Sequence, residues 1–350
     1  MEQNMQTKLS AASTSFAKTK IPSLLSGHES TVQEIVERLR RSERVLIAAH
    51  EHPDGDAIGS SLALLHALSM QGKQVTTYIP DAAPEYLQFL PGFDRLTTTK
   101  PNVADYDLVV VLDCTKLFRA HLEAEVRAHP NTIVIDHHHD NDEGGTVNLV
   151  LTRAAAVAQI LTEMFRMTEV DINHDMATCL LTGIFTDTGS FMHDSTTPEI
   201  LELASELMGK GARLSHIAHE TYQKKELPSL RIWGEVLSRV MVNEDTGAAV
   251  SLITHQDLAQ HGATLEDLAG VVNLLNTLPK TNFALLLTEY EPGKIKGSLR
   301  SEPHKGVDVS KIAKRLGGGG HKLASGFEVD GRIIHADGQW RVLPQEQELA

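Results

Sequence analysis

From Arg44 the chain reads VLIAAH, an unbroken apolar run of strand length, and then HPDGDAIGSSLALLHALSMQG, where apolar positions change to helical spacing until Gly72. The alternation continues. KQVTTYI reads as a strand, YDLVVVLD as a strongly β-branched strand closing on Asp113, and a charged helical stretch leads into TIVID, closing on Asp136. Continuous apolar strands that alternate with helices describe a parallel sheet buried on both faces. Ligands of open parallel sheets gather outside the carboxyl ends of the strands, and His50, Asp113 and Asp136 all fall there.

A helix is predicted from His174 to about Thr186, running into Asp187-Thr188-Gly189, and Pro198 opens a more polar helical segment to about Gln223. A second domain follows, with strand-like SRVMVN and AAVSLIT, Thr254 placed to cap a short helix, and a helix from Thr264 with Asp267 in the manner of a capping box. NFALLLTEY and KIKGSLRS read as a hairpin through Pro292-Gly293; the helix VSKIAKRL, the run Gly317 to Gly320 with His321, and ASGFEV complete it. The expected fold is α/β: an N-terminal domain with a mostly parallel sheet flanked by helices, a helical linker, and a smaller C-terminal α/β domain. The expected limits are a poorly ordered tail over 1–27, a first domain over 28–195, a linker over 196–226 and a second domain over 227–345.

A length of 350 residues suits two cores of ordinary size. The net charge of −14 argues against wrapping long duplex nucleic acid or lying on anionic lipid, both of which need a basic footprint. Any nucleic-acid substrate should therefore be short. Cys114 and Cys179 are the two cysteines, far apart in apolar surroundings, so neither a disulfide framework nor a cysteine zinc site is expected, and a reducing cytoplasm is. No run approaches the ~20 apolar residues of a membrane span, and residues 1–20 lack the apolar core of a secretory signal.

The segment from His50 to Asp56 places an imidazole and the carboxylates of Asp54 and Asp56 in one tight loop, with Pro53 and Gly55 shaping the turn. Carboxylates crowded in this way repel unless a positive charge sits between them, and a dication answers that need. The alternative is that Asp54 and Asp56 only cap the following helix. Asp136-His137-His138-His139 is delivered to the same edge, with His137 as a ligand and His138 facing the substrate as an acid or a phosphate partner. Asp187-Thr188-Gly189 also spells the aspartic-protease triplet, but it follows a helix and has no second copy. As a ligand, Asp187 completes a set able to hold two cations ~3.5–4 Å apart. Oxygen donors mixed with imidazole suit manganese, magnesium or iron better than a thiolate-seeking metal.

Taken together, D-x-D after His50, the solitary Asp113, Asp-His-His at 136–138 and Asp-Thr-Gly at 187–189 resemble the four motifs of the DHH phosphoesterase superfamily. Gly-Ser-Leu-Arg at 297–300 and GGGGH at 317–321 resemble its associated substrate-binding domain, so the chain looks most like the nanoRNase type rather than the larger exonuclease RecJ or the family II pyrophosphatases. The resemblance implies one cation, most simply Mn2+ with Mg2+ as an alternative, held by His50, Asp54 and Asp113, and a second held by Asp56, Asp113, His137 and Asp187. Asp113 would bridge, and Asp136 would orient an imidazole rather than bind metal. Catalysis would then rest on His138, Asp136 and Asp113.

Between Lys294 and Lys322 the sign of the charge reverses locally, with eight basic residues against Glu302 and Asp308. Arg300 with Ser298 in the hairpin, the amides of Gly318, Gly319 and Gly320, and His321 are the expected phosphate contacts. The second domain would close over bound substrate. The resemblance implies short RNA oligonucleotides and 3′-phosphorylated nucleotides such as pAp as substrates, no membrane partner, and is compatible with a homodimer. Dinucleotide phosphodiesterase, linear or cyclic, is the alternative activity, and a nucleotide-sensing module without turnover is the non-enzymatic one. Two segments depart from the family pattern: Met192 and His193 follow Phe191 where an arginine is usual, and Arg153, alanines and Gln159 stand where hydroxyl residues and a glutamate are.

Overall fold

The structure, a computed structural model, describes residues 24–336 and 339–343. Residues 1–23 of the expected tail lie outside the described residues. Two compact units form, the first ending at Gln223 and the second beginning at Lys224.

The first unit runs α1 (Glu29–Arg41), β1 (Arg44–Ala48), α2 (Gly55–Met70), β2 (Gln74–Tyr78), β3 (Leu96–Thr97), β4 (Leu108–Leu112), α3 (Glu123–Ala128), β5 (Thr132–Asp136), β6 (Val147–Val150), α4 (Val157–Met167), α5 (His174–Asp187), α6 (Pro198–Gly209) and α7 (Leu214–Ala218). Its six strands lie in the order β3-β2-β1-β4-β5-β6, and every pairing is parallel. The unbroken apolar runs have a direct cause. Val45, Ile47, Leu108, Val110, Leu112, Ile133 and Ile135 enter the core on one face of the sheet. Leu46, Ala48, Val109, Val111 and Val134 enter the core on the other. A strand buried on both faces has no polar phase to show.

Strand order reverses between β1 and β4, so the crevice at their carboxyl ends is the topological switch point where such sheets bind ligands. Helices α2 and α5 pack closely beside it. A Cβ on Gly59 would lie 2.5 Å from the Cys179 carbonyl, which is why a glycine stands there. Helices α6 and α7, read from the sequence as a linker, place Ile200, Ala204, Leu207 and Ile217 in the first core. Their apolar stripe needs a partner, and the first unit supplies it.

The second unit runs α8 (Leu227–Ser238), β7 (Met241–Asn243), β8 (Ala248–Ile253), α9 (His255–His261), α10 (Val271–Asn276), β9 (Phe283–Glu291), β10 (Lys294–Arg300), α11 (Val309–Arg315), β11 (Gly319–Gly320), β12 (Ala324–Asp330), β13 (Arg332–Ala336) and β14 (Gln339–Leu343). A mixed six-stranded sheet in the order β11-β12-β10-β9-β8-β7 forms its centre, with the β9–β10 hairpin where Pro292-Gly293 predicts it. Thr254 and Asp257 form a reciprocal capping box on α9. The helix expected from Thr264 is instead a single 3-10 turn over Glu266–Leu268. Gly270, at φ +92°, interrupts the chain, and α10 starts only at Val271. Thr264 and Asp267 still make the expected local hydrogen bonds.

Candidate metal centre

The ends of β1, β4 and β5 deliver His50, Asp113 and Asp136, α2 and α5 deliver Asp54, Asp56 and Asp187, and the backbone is bent at two of these places. Asp113, the residue after β4, has φ +50°, and Gly189, Ser190 and Phe191, just beyond Asp187, have φ between +56° and +63°. Non-glycine residues in this region cost about 1–3 kcal/mol each and persist where the surroundings enforce them. Thr188 enforces the second bend by donating its hydroxyl to the Ile184 carbonyl and accepting the Phe191 amide.

Three sets of donor atoms converge, each within 4.8 Å: His50, Asp54 and Asp113; Asp56, His137 and Asp187; and Asp113, Asp136, His137 and His138. Asp113 joins the first set to the third, and His137 joins the third to the second. His50 Nε2 lies 3.6 Å from Asp113 Oδ2, and His137 Nε2 lies 3.6 Å from Asp113 Oδ1 and 3.3 Å from Asp187 Oδ2. All six residues expected as ligands are therefore brought together. Asp54 also caps α2, accepting the Asp56 and Ala57 amides on Oδ1, so capping and clustering are compatible. Among the described residues, His216 and His219 join no donor cluster; each lies near Glu220.

The imidazoles are oriented by main-chain carbonyls. His50 Nδ1 donates to Glu51 O at 2.6 Å, and His137 Nδ1 donates to Ala154 O at 3.2 Å. In both rings Nε2 is thereby aimed at the carboxylates, as metal-binding histidines require. Asp56 is fully buried and its two oxygens accept the first amides of α4, Val157 at 2.5 Å and Ala158 at 2.9 Å. A helix N-terminus favours an anion and so offsets part of the cost of burying this carboxyl.

Asp136, a member of the third set, also organises the loop. Its Oδ1 accepts the His137 amide at 2.7 Å and His138 Nδ1 at 2.7 Å, so His138 is the imidazole it orients. Asn141, which has no counterpart among the expected site residues, donates to Asp136 Oδ2 at 2.5 Å.

Electrostatics show the strain of so many acids in one place. Burial raises the Asp56 and Asp187 carboxyls well above the ordinary range, and neighbouring carboxylates add to it. Burial opposes ionisation of Asp113 too, but His50, His137 and His138 outweigh it and hold this carboxyl well below the ordinary range. His50 is likewise disfavoured as a cation by burial, yet Asp113 outweighs this and draws it up to about 9. Divalent cations bound among these groups would relieve the mutual repulsion of the carboxylates, and their uptake would depend on pH.

Dications fit this donor set on a direct observation. Asp113 is 2% exposed, and its Oδ1 accepts no hydrogen bond although two imidazoles stand 3.6 and 3.7 Å away. A buried carboxylate oxygen left in this way is costly unless a cation faces it. Cys114, next in sequence, is no rival donor: burial pushes its thiol up to about 12.

In the second unit Lys296, Ser298 and Arg300 share one face of β10 and line a cavity of about 120 Å3 with Leu265, Leu268 and Val272. Arg300 Nε donates to Asn273 Oδ1 at 3.0 Å. Arg300 pairs across the sheet with Ala324, whose carbonyl accepts the His321 amide at 2.8 Å, so strand pairing brings the Arg300 and His321 segments side by side. The glycine run is not an open cradle throughout. The Gly317 and Gly318 amides donate to Lys314 and Ala313 carbonyls, ending α11, and Gly319 and Gly320 pair with Gly326 and Ser325. Helix ends need such partners, and glycine supplies them without obstruction: a Cβ on Gly318 would lie 2.1 Å from the Gly326 carbonyl.

Known proteins with this arrangement are recognisable. Residues 44–184 match the DHH family, N-terminal domain, and residues 245–337 match the DHHA1 domain. The bifunctional oligoribonuclease and PAP phosphatase NrnA of Thermus thermophilus is 34% identical over 82% of this chain and 84% of its own length. The protein of the same name from Bacillus subtilis is 26% identical over 85% and 92%. A crystal structure of an exopolyphosphatase-related protein from Bacteroides fragilis superposes with a TM-score of 0.81 at 29% identity, covering 85% of this chain and 91% of that one. With both domain matches in order along one chain and a relative this similar over most of its length, the chain belongs to the DHH family of hydrolases and carries the DHHA1 domain.

Proposed function

We propose that this protein is a two-metal phosphoesterase that hydrolyses short oligoribonucleotides to nucleoside monophosphates and removes the 3′-phosphate of pAp. The observation that carries the reading is the buried Asp113 Oδ1, lacking any hydrogen bond at the junction of the donor sets. The activities named for the relatives from Thermus thermophilus and Bacillus subtilis give the substrate class. His50, Asp54 and Asp113 would hold one cation, and Asp56, Asp113, His137 and Asp187 the other, with manganese as the metal of choice for mixed imidazole and carboxylate donors. Bound there, the cations would supply a water of lowered pKa and a polarised phosphoryl oxygen.

The chain's own residues do the rest. Asp136 accepts a hydrogen bond from His138 Nδ1 and so orients the ring, and His138 would give a proton to the departing oxygen. Ser298, Arg300 and His321 would take a substrate phosphate, with Arg300 as the bidentate partner. The Gly318 amide ends α11 and does not serve this role, which falls to the exposed end of the run at Gly320 beside His321. The net charge of −14 supports short substrates, because a long polyanion would be repelled outside the basic strip. No helix among the described residues is long and apolar enough to cross a membrane, and a cytoplasmic site of action accords with two buried, unpaired cysteines.

The test offers purified protein with Mn2+ a labelled RNA dinucleotide, five-unit RNA, pAp, a cyclic dinucleotide and pyrophosphate side by side. Turnover of the short RNAs and pAp above the other two is expected. A preference for the cyclic dinucleotide would replace the proposed substrate, and no metal-dependent turnover of any of them would defeat the enzyme reading.

A further inference from the structure

Asn141 is exposed to the solvent only in part, and both amide hydrogens and the amide oxygen of its side chain have partners. Nδ2 donates one hydrogen to Asp136 Oδ2 at 2.5 Å and the other to the Cys114 carbonyl at 3.1 Å, while Oδ1 accepts the Glu143 amide at 2.6 Å. The orientation is determined by chemistry: turning the amide over would set its oxygen against a carboxylate and a carbonyl. The Cys114 carbonyl belongs to the residue just after Asp113, which stands at φ +50°. Asn141 therefore ties the end of β4, where the left-handed Asp113 sits, to the end of β5, where Asp136 holds His138.

We infer that Asn141 is a positioning residue that clasps these two strand ends, keeping the Asp113 carboxylate aimed at the cation sites and the Asp136 carboxylate aligned on His138. The inference rests on the functional reading above. It assigns a second role to the peptide between Cys114 and Thr115, whose carbonyl would otherwise be the free end of the turn that follows Asp113. Its two arms are separable. Through Cys114 the clasp acts on metal affinity; through Asp136 it acts on the turnover step performed by His138.

Three variants of the full chain, Asn141→Ala, Asn141→Ser and Asn141→Asp, decide the matter, with Mn2+ binding followed by titration calorimetry in the absence of substrate and kinetics on five-unit RNA at saturating Mn2+. Asn141→Ala should weaken Mn2+ binding and lower kcat each by about tenfold or more, the range found when groups supporting metal ligands are removed, with KM within threefold of the parent. Asn141→Asp should lose more, since it adds a charge facing Asp136, and Asn141→Ser, which keeps one donor, should lose less and provides the comparison if the alanine variant does not fold. In a His138→Ala background the further loss of kcat on replacing Asn141 should shrink to less than threefold while the loss of Mn2+ affinity persists. Mn2+ affinity and kcat within twofold of the parent, a change confined to KM, or full additivity with His138→Ala would each overturn the inference. Should the parent turn over none of the substrates, the functional reading fails, yet unchanged or weakened Mn2+ binding in Asn141→Ala still decides the metal arm.

Discussion

Asp56 fits into the space that Gly183 leaves open: a Cβ at position 183 would lie 2.7 Å from Asp56 Oδ1 and 2.8 Å from the Ala158 Cβ. Helix α5 thereby shapes the site at its middle as well as at Asp187, its last residue. Gly183→Ala should push the Asp56 carboxylate off the α4 amides. We expect a loss of about 1–3 kcal/mol from overpacking, and Mn2+ binding weakened by about tenfold. Urea unfolding with and without Mn2+ separates the two; an alanine variant that binds Mn2+ like the parent would show that Asp56 is not held by this fit.

Much of this was legible in the residues, and the division has a physical logic. Strands buried on both faces declare themselves by unbroken apolar runs, and the polar residue that ends such a run must lie at the sheet edge, so His50, Asp113 and Asp136 could be placed without coordinates. What stayed hidden uses main-chain atoms. The carbonyls of Glu51 and Ala154 and the amides of Val157 and Ala158 orient His50, His137 and Asp56, and every residue type carries such groups. Ala158 is small where α4 begins directly against Asp56 and Gly183, which no pattern in the chain reveals. The glycine run misleads for a related reason, since closing a helix and cradling an anion call for the same small residue. Only the partners of the Gly317 and Gly318 amides tell these uses apart.

Removal of metal should be visible as lost stability. At a Mn2+ concentration near one hundred times its dissociation constant, binding to the folded state contributes about 2.7 kcal/mol, which for the melting of the first unit, roughly two hundred described residues, is a rise on the order of 5–10 °C. A chelator should reverse the rise. Asp113→Asn keeps the shape of the side chain but removes the charge shared by the donor sets, and it should abolish both the Mn2+-dependent rise in melting temperature and turnover. A full rise in this variant would show that cations bind elsewhere.

Acid should loosen the second unit through Asp257. Burial works to raise its pKa, but Arg239, at 2.6 and 2.8 Å, and Thr254 outweigh it and hold this carboxyl at about 2. A depressed carboxyl pKa contributes stability that is complete above the unfolded value of about 4 and disappears as pH falls through about 2. Asp257→Asn should cost about 1–2 kcal/mol at pH 7, allowing for solvent screening and including the weakened cap on α9, and should flatten the loss between pH 4 and 2. Trp233 and Trp340 are the two tryptophans and both lie in the second unit, so indole fluorescence during urea unfolding reports on it directly. Equal acid slopes for parent and variant would rule out Asp257 as the titrating group.

Arg300 is where a conservative change should be least tolerated. Its Nε is held by Asn273 Oδ1 on α10 at 3.0 Å and one terminal nitrogen donates to the Leu299 carbonyl at 2.8 Å, so the guanidinium plane is set before substrate arrives. A planar fork fixed in this way can meet a phosphate with two parallel donors, whereas a lysine ammonium carries the charge without the geometry. Arg300→Lys should therefore raise KM for five-unit RNA by about tenfold, the equivalent of about 1.4 kcal/mol, and leave kcat within threefold. Asn273→Ala, which frees the fork without removing it, should raise KM by a smaller factor in the same direction. A fall in kcat with unchanged KM in Arg300→Lys would place Arg300 at the reacting phosphate instead of at a binding contact, and no change in either constant would remove it from the substrate path.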